Sequence, residues 1–99
     1  SGTAPIAEDG SPAYPGDLYR QTTRCLAIIF QAIHDAGGKP EHIIRTRVYL
    51  RDASQWEEAA RAHGESFSDI RPASTFVEVS ALLRKEWLVE IEADCILDA

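Results

Sequence analysis

Ile70-Arg71-Pro72-Ala73-Ser74-Thr75-Phe76-Val77-Glu78-Val79, followed after a short connection by Leu88-Val89-Glu90-Ile91-Glu92-Ala93-Asp94, reads as two strands. In the second, Val89, Ile91, Ala93, Cys95 and Leu97 fall on one face, and Leu88, Glu90, Glu92 and Asp94 on the other. A period of two belongs to a half-buried strand, not to a helix. The first strand starts at Pro72, which fixes its own φ and biases Arg71 toward extended geometry. The acidic face of the second strand has two readings: the solvated side of a sheet, or the wall of a site.

Upstream, Ile44 to Arg51 alternates as well. Ile44, Thr46, Val48 and Leu50 face one way, and Arg45, Arg47, Tyr49 and Arg51 the other. Between these strands, Ser54-Gln55-Trp56-Glu57 has the form of a capping box opening a helix. Trp56, Ala59, Ala60, His63 and Phe67 follow at helical spacing and are expected in the core, with His63 as a hydrogen-bonded core or interface residue. A longer helix is predicted from Leu18 to Ala36. Asp17 is its N-cap, its apolar stripe runs through Leu18, Thr22, Cys25 or Leu26, Ile29 and Ile33, and Gly37-Gly38 ends it. Residues 1–16, rich in Gly, Pro, Ser and Ala, read as a loop.

One face of each strand and one stripe of each helix are apolar. Helices laid on one face of a mixed sheet bury both, which predicts an α+β fold. The opposite sheet face, with Arg45, Arg47, Tyr49, Glu90 and Glu92, is too polar for a core. It is expected to be a wet interface with charge pairs between subunits. At 99 residues the chain is one domain, small enough that oligomerisation is expected to help it.

A net charge of −6 argues against binding through a nucleic-acid backbone. The two cysteines, Cys25 and Cys95, are far apart and lack metal-ligand spacing. They fit small buried apolar residues of a reduced, cytoplasmic protein. The longest apolar run, Cys25 to Phe30, is too short to span a bilayer. The chain starts on Ser1-Gly2 without Met and is expected to begin inside a longer parent or after processing. His34, His42 and His63 are scattered and form no metal set. There is no phosphate loop, G-x-S-x-G, H-E-x-x-H or C-x-x-C. What remains is carboxylates on a strand. A carboxylate in a half-buried cleft beside a like charge is suited to act as general base on water. Glu90, with Glu92 on the same face, is the candidate.

Taken together, residues 71–79 and 89–93 resemble the C-terminal signature of the Rid family, also called YjgF or L-PSP endoribonuclease-like. Gln21 to Gly38 resembles that family's first helix, Arg45 to Asp52 its central strand, and Ser1-Gly2 the end of its second strand. The resemblance spans the whole chain, residues 1–99, as a single Rid-like domain. It implies a chorismate-mutase-like α+β fold, a homotrimer, and small-molecule clefts between subunits, with no cofactor or metal. It further implies that an N-terminal hairpin, with an aromatic residue that lines the cleft, is absent ahead of Ser1. The family's best-known activity is hydrolysis of enamines and imines to ketoacids and ammonia. Its glutamate corresponds to Glu90, and Ser1 and Gly2 would offer hydroxyl and backbone N–H donors. The arginine that clamps a substrate carboxylate falls at Ser74, a frequent cysteine at Phe76, and an asparagine near Ala60. Arg71 would stand in for the arginine if the chain turned there. Three functions follow as expectations: a hydrolase of altered specificity, a trimeric binding protein without turnover, and, less favoured, an endoribonuclease.

Overall fold

A computed structural model describes residues 2–97. Helix α1 runs Leu18–Asp35, strand β1 Ile43–Leu50, helix α2 Trp56–Phe67, strand β2 Ala73–Glu78 and strand β3 Val89–Cys95. Short 3-10 turns at Pro40–His42 and Ala53–Gln55 lead into β1 and α2. The sheet order is β2-β1-β3, with β1 parallel to β2 and antiparallel to β3. The expected mixed sheet with two helices is therefore present.

Local chemistry explains the ends of α1. The Asp17 carboxylate accepts the Arg20 N–H at 3.0 Å and satisfies an otherwise orphaned donor. At the far end Gly37 adopts φ +92°, with its N–H on the His34 carbonyl and that of Gly38 on the Ile33 carbonyl. That pair of bonds is a Schellman closure, which favours glycine at the left-handed position. Leu18, Gln21, Thr22, Cys25, Leu26, Ile29 and Ile33 form the buried stripe. They meet Ala59 and Phe67 of α2 and Val48, Leu50, Val89 and Ile91 of the sheet in one core. Burial pushes the Cys25 thiol up to about 12.

Four local expectations are corrected. Ile44 is half exposed and Ile43 buried, because β1 carries an extra residue against β3 between Ile43 and Arg45. Such a bulge shifts the alternation by one residue. Trp56 is 51% exposed, at the first position of α2 and outside its buried stripe. Cys95 is exposed, because β3 runs out beyond the core after Ala93. The capping box does not form: Asp52 accepts the Ser54 N–H and hydroxyl, which draws Ser54 into a 3-10 turn ahead of α2.

Beyond β3, Thr3 exchanges two backbone hydrogen bonds with Ile91, at 2.8 and 3.0 Å. The start of the chain thus lies along the outer edge of β3.

Candidate functional site

Two groups of residues singled out by the sequence sit at the two outer strands. On the β3 side, Glu90 is half-buried and pairs across the sheet with Tyr49. The Thr3–Ile91 bridge brings Gly2 against it. A side chain on Gly2 would run into the Glu90 carboxylate. Glycine at position 2 thus lets backbone and carboxylate approach closely. Along the same face, Tyr49 donates its hydroxyl to Glu92, a hydrogen bond that raises the tyrosine pKa above its ordinary value. Arg47 pairs with Asp94 at 3.2 Å. One of the charge pairs anticipated on this face is thus formed within the protomer.

The connection into β3 is held from behind by Gln21, which is fully buried on α1. Its amide donates to the Glu86 carbonyl at 2.9 Å and the Tyr14 carbonyl at 3.3 Å, and accepts the Leu88 N–H at 2.8 Å. The backbone just before Glu90 is fixed by these bonds.

On the β2 side the chemistry is different. Parallel pairing sets Ser74 beside Thr46 and Phe76 beside Val48, on the sheet face that carries the core. The Thr46 hydroxyl lies 2.8 Å from His63 Nε2 and 2.8 Å from Ser74 Oγ. Ser74 Oγ is also 3.4 Å from His63 Nε2 and donates to the Pro72 carbonyl at 3.2 Å. Thr46 is fully buried and His63 is 8% exposed, whereas Ser74 is exposed. Phe67 and Phe76 pack on the imidazole, with ring centroids 4.6 and 5.3 Å away. Burial pushes the His63 pKa below its ordinary value, which favours the neutral ring.

Gly2 and Glu90 are therefore together, as are Ser74 and Phe76, but the two pairs are apart. They lie on outer strands either side of β1 and on opposite faces of the sheet. Two strand spacings alone separate them by roughly 10 Å. Ser1 lies outside the described residues. The chain does turn at Arg71, which has φ +54° rather than the extended geometry expected ahead of Pro72. Its N–H bonds the Phe67 carbonyl at 2.9 Å, and its Nε donates to the Ser68 carbonyl at 3.3 Å. The guanidinium thus closes the C-terminal end of α2, where cations are favoured. Ala60, half-buried, is on α2 three residues before His63.

Sequence reasoning treated His63 as structural and did not connect Thr46 with Ser74. Their meeting depends on the β1–β2 register, which no local pattern encodes. Among the described residues, no three His, Cys, Asp or Glu side chains stand where they could hold a metal ion. A broad concavity bordered by Ala7, Asp9, Tyr14 and Arg24 lies at the N-terminal loop, away from both groups. It is open to solvent and mixed polar and apolar, and none of the residues singled out from the sequence borders it, so the two groups on the sheet remain the better candidates. No helix among the described residues is long and apolar enough to cross a membrane.

The Endoribonuclease L-PSP family model matches residues 1–97. A RutC family protein of Pyrococcus abyssi is 31% identical over 93 residues, covering 94% of this chain and 72% of that protein. The 3-aminoacrylate deaminase RutC of Acinetobacter baylyi is 30% identical over 91 residues, covering 92% and 71%. The crystal structure of a Mycobacterium tuberculosis member of the YjgF/YER057c/UK114 family superposes with a TM-score of 0.86 at 36% identity, covering 98% of this chain and 75% of that one. The chain belongs to the L-PSP endoribonuclease family, also known as the Rid or YjgF family. Its α+β architecture is the chorismate-mutase-like fold of these neighbours.

Proposed function

We propose that this chain is a small-molecule hydrolase of the enamine and imine deaminase type, with altered substrate specificity, working in clefts between the subunits of a homotrimer. The observation that carries this reading is the division of the candidate residues. Glu90 with Gly2, and Ser74 with Phe76, occupy opposite faces and opposite outer strands, so one cleft uses both only if two subunits supply them. The kinship with a 3-aminoacrylate deaminase supports the reaction class.

In this reading Glu90 takes a proton from water as the oxygen adds to the C=N carbon. The nitrogen gains protons and leaves as ammonia, and the carbon becomes a carbonyl. Gly2 offers a backbone N–H donor beside the reacting group; the Ser1 hydroxyl expected with it lies outside the described residues. Phe76 supplies an apolar wall. Ser74 has no charge with which to clamp a carboxylate, and Arg71 is engaged at the end of α2. The substrate therefore differs from a simple 2-imino acid. The acidic net charge argues against the ribonuclease reading. A reducing cytoplasm suits the two free thiols.

The test is ammonia release from enzymatically generated imines, with 2-iminopropionate as the charged reference. Glu90→Gln is expected to lower turnover by about 10²–10⁴-fold, the usual worth of a general base. Turnover of 2-iminopropionate matching an arginine-bearing relative would overturn the reading of Ser74. Sedimentation of the intact chain tests the trimer. The uncharged Thr46–His63–Ser74 cluster favours one second reading, a trimeric binding protein without turnover. That reading expects ligand retention, and no activity for Glu90→Gln to remove.

A further inference from the structure

The hydrogen-bonded cluster beneath α2 ends at the surface. Thr46 is fully buried and His63 nearly so, but the last hydroxyl in the chain, Ser74, is on an exposed outer strand. A cluster that served packing alone would need no member in the open. Phe76, two residues along the same face, lies edge-on to the imidazole and adds an apolar neighbour.

The proton arithmetic of the cluster is informative. Each hydroxyl has one proton and can also accept, and a neutral imidazole has one donor and one acceptor nitrogen. In one arrangement His63 Nε2–H donates to Thr46, Thr46 donates to Ser74, and the Ser74 proton goes to the Pro72 carbonyl at 3.2 Å or turns from it to an outside acceptor. In the other, Ser74 donates to Thr46, Thr46 donates to His63 Nε2, and the Ser74 lone pairs point outward. A change of imidazole tautomer connects the two. Ser74 can therefore serve an incoming acceptor or an incoming donor, with the whole chain polarised behind it.

Two other roles fit less well. As a nucleophile, Ser74 is 3.4 Å from Nε2, and Thr46 holds the shorter bond to that nitrogen at 2.8 Å. No carboxylate among the described ion pairs and hydrogen bonds orients His63. As a carboxylate site, the cluster lacks the fixed positive charge that makes such pairs strong.

We propose that Ser74, supported by Thr46 and His63, recognises one uncharged hydrogen-bonding group of a ligand, such as a carboxamide, ketone or neutral imine, beside an apolar substituent that packs on Phe76. This deepens the cleft reading and rests on it for the location of the ligand. Thr46 and His63 act through Ser74 as positioning residues.

Benzamide and benzoate test it, because they share a ring and a planar head and differ in charge. Titrated into the 15N-labelled chain, benzamide is expected to shift the backbone amides of Ser74 and Phe76 and to bind at least about tenfold more tightly than benzoate, a difference of about 1.4 kcal/mol. Ser74→Ala, on an exposed strand, is expected to erase that preference. Thr46→Val is expected to lower the benzamide-to-benzoate ratio and Thr46→Ser to restore it, a pattern that a purely structural role would not produce. Should Thr46→Val fail to fold, Ser74→Ala carries the test. Equal affinity for the two probes, shifts confined to other regions, or a ratio unchanged in Ser74→Ala overturns the inference. The hydrolase reading fails separately. A benzamide preference without ammonia release from any imine removes the hydrolase and keeps this recognition site. Glu90-dependent release that is equally efficient with charged and uncharged imines keeps the hydrolase and removes the recognition site.

Discussion

The two outer strands of one small sheet hold their polar groups by opposite means. On β3 the proposed working group is a carboxylate, half open to water, with a glycine backbone laid against it. On the β2 side the clustered groups Thr46, His63 and Ser74 are neutral, and all but Ser74 are buried under an aromatic cover. The difference follows from burial. A charge removed from water needs a partner, whereas hydroxyls and an imidazole satisfy one another inside a core. The same sheet therefore offers a basic oxygen on one side and an adaptable neutral contact on the other. In the proposed cleft, their separation is what requires a second copy of the chain.

The largest effect expected from perturbing this contrast is on the β3 side. Its approach segment is held from the core side by Gln21, through two hydrogen bonds to Glu86 and Leu88, while a third ties Gln21 to Tyr14. Gln21→Leu keeps the volume but leaves the Leu88 N–H and the Glu86 carbonyl without that partner. The expected cost is roughly 2–4 kcal/mol, since each buried group left unpaired costs about 1–3 kcal/mol. Urea denaturation measures it. A loss under about 0.5 kcal/mol, typical of an indifferent surface change, would mean that the segment is held by something else.

A smaller and more local effect is expected at Gly2. Gly2→Ala places a methyl group where the Glu90 carboxylate now lies. The obstructing atoms are the far end of a flexible side chain, so Glu90 swings aside at little cost to the fold. Turnover is expected to fall by about 10-fold, equivalent to 1.4 kcal/mol of transition-state stabilisation, while the urea midpoint stays in place. Unchanged kinetics would show that the present approach of Gly2 to Glu90 is not the working geometry.

These two residues differ in how far the sequence revealed them. The β3 alternation exposed Glu90 directly, because period two is a local property. The helix ends were legible for the same reason: Asp17 and Gly37 act on backbone groups within a few residues of themselves. Gln21 looked like one polar residue of a helix, since its partners are contributed by segments up to 67 residues away. Strict alternation puts Ile44 on the buried face, and the structure does not, because a bulge is a relation between two strands. The Thr46–His63–Ser74 cluster was hidden most completely. His63 was visible on an apolar helix face and Ser74 on a strand, but their contact needs both the parallel register and the docking of α2. The separation of Ser74 from Glu90 likewise emerges only with the strand order. The residues of the site were therefore readable one by one, and their grouping was not.

The smallest expected effect sharpens the neutral half of the contrast. His63 is held below its ordinary value of 6.5 by burial, so the folded chain binds that proton less readily than the unfolded chain does. The unfolded state then carries more bound protons at and below pH 6.5, and stability rises with pH across that range. The contribution is complete above the unfolded value and is lost as pH falls toward the folded one. Asp9 and Asp52 act in the same direction, through side-chain hydrogen bonds from Ser11 and Ser54 that lower their pKa values. Their loss falls below the ordinary aspartate value of 3.8, so the interval from pH 5 to 6.5 isolates the histidine. Urea midpoints of the parent chain are expected to rise between pH 5 and 6.5, and those of His63→Gln to rise less, because the amide still reaches the hydroxyls but does not titrate. An identical slope in both would mean that His63 accepts its proton in the folded state without penalty. The cluster would then be able to carry charge, and the distinction between the acidic β3 side and the neutral β2 side would fail at its central residue.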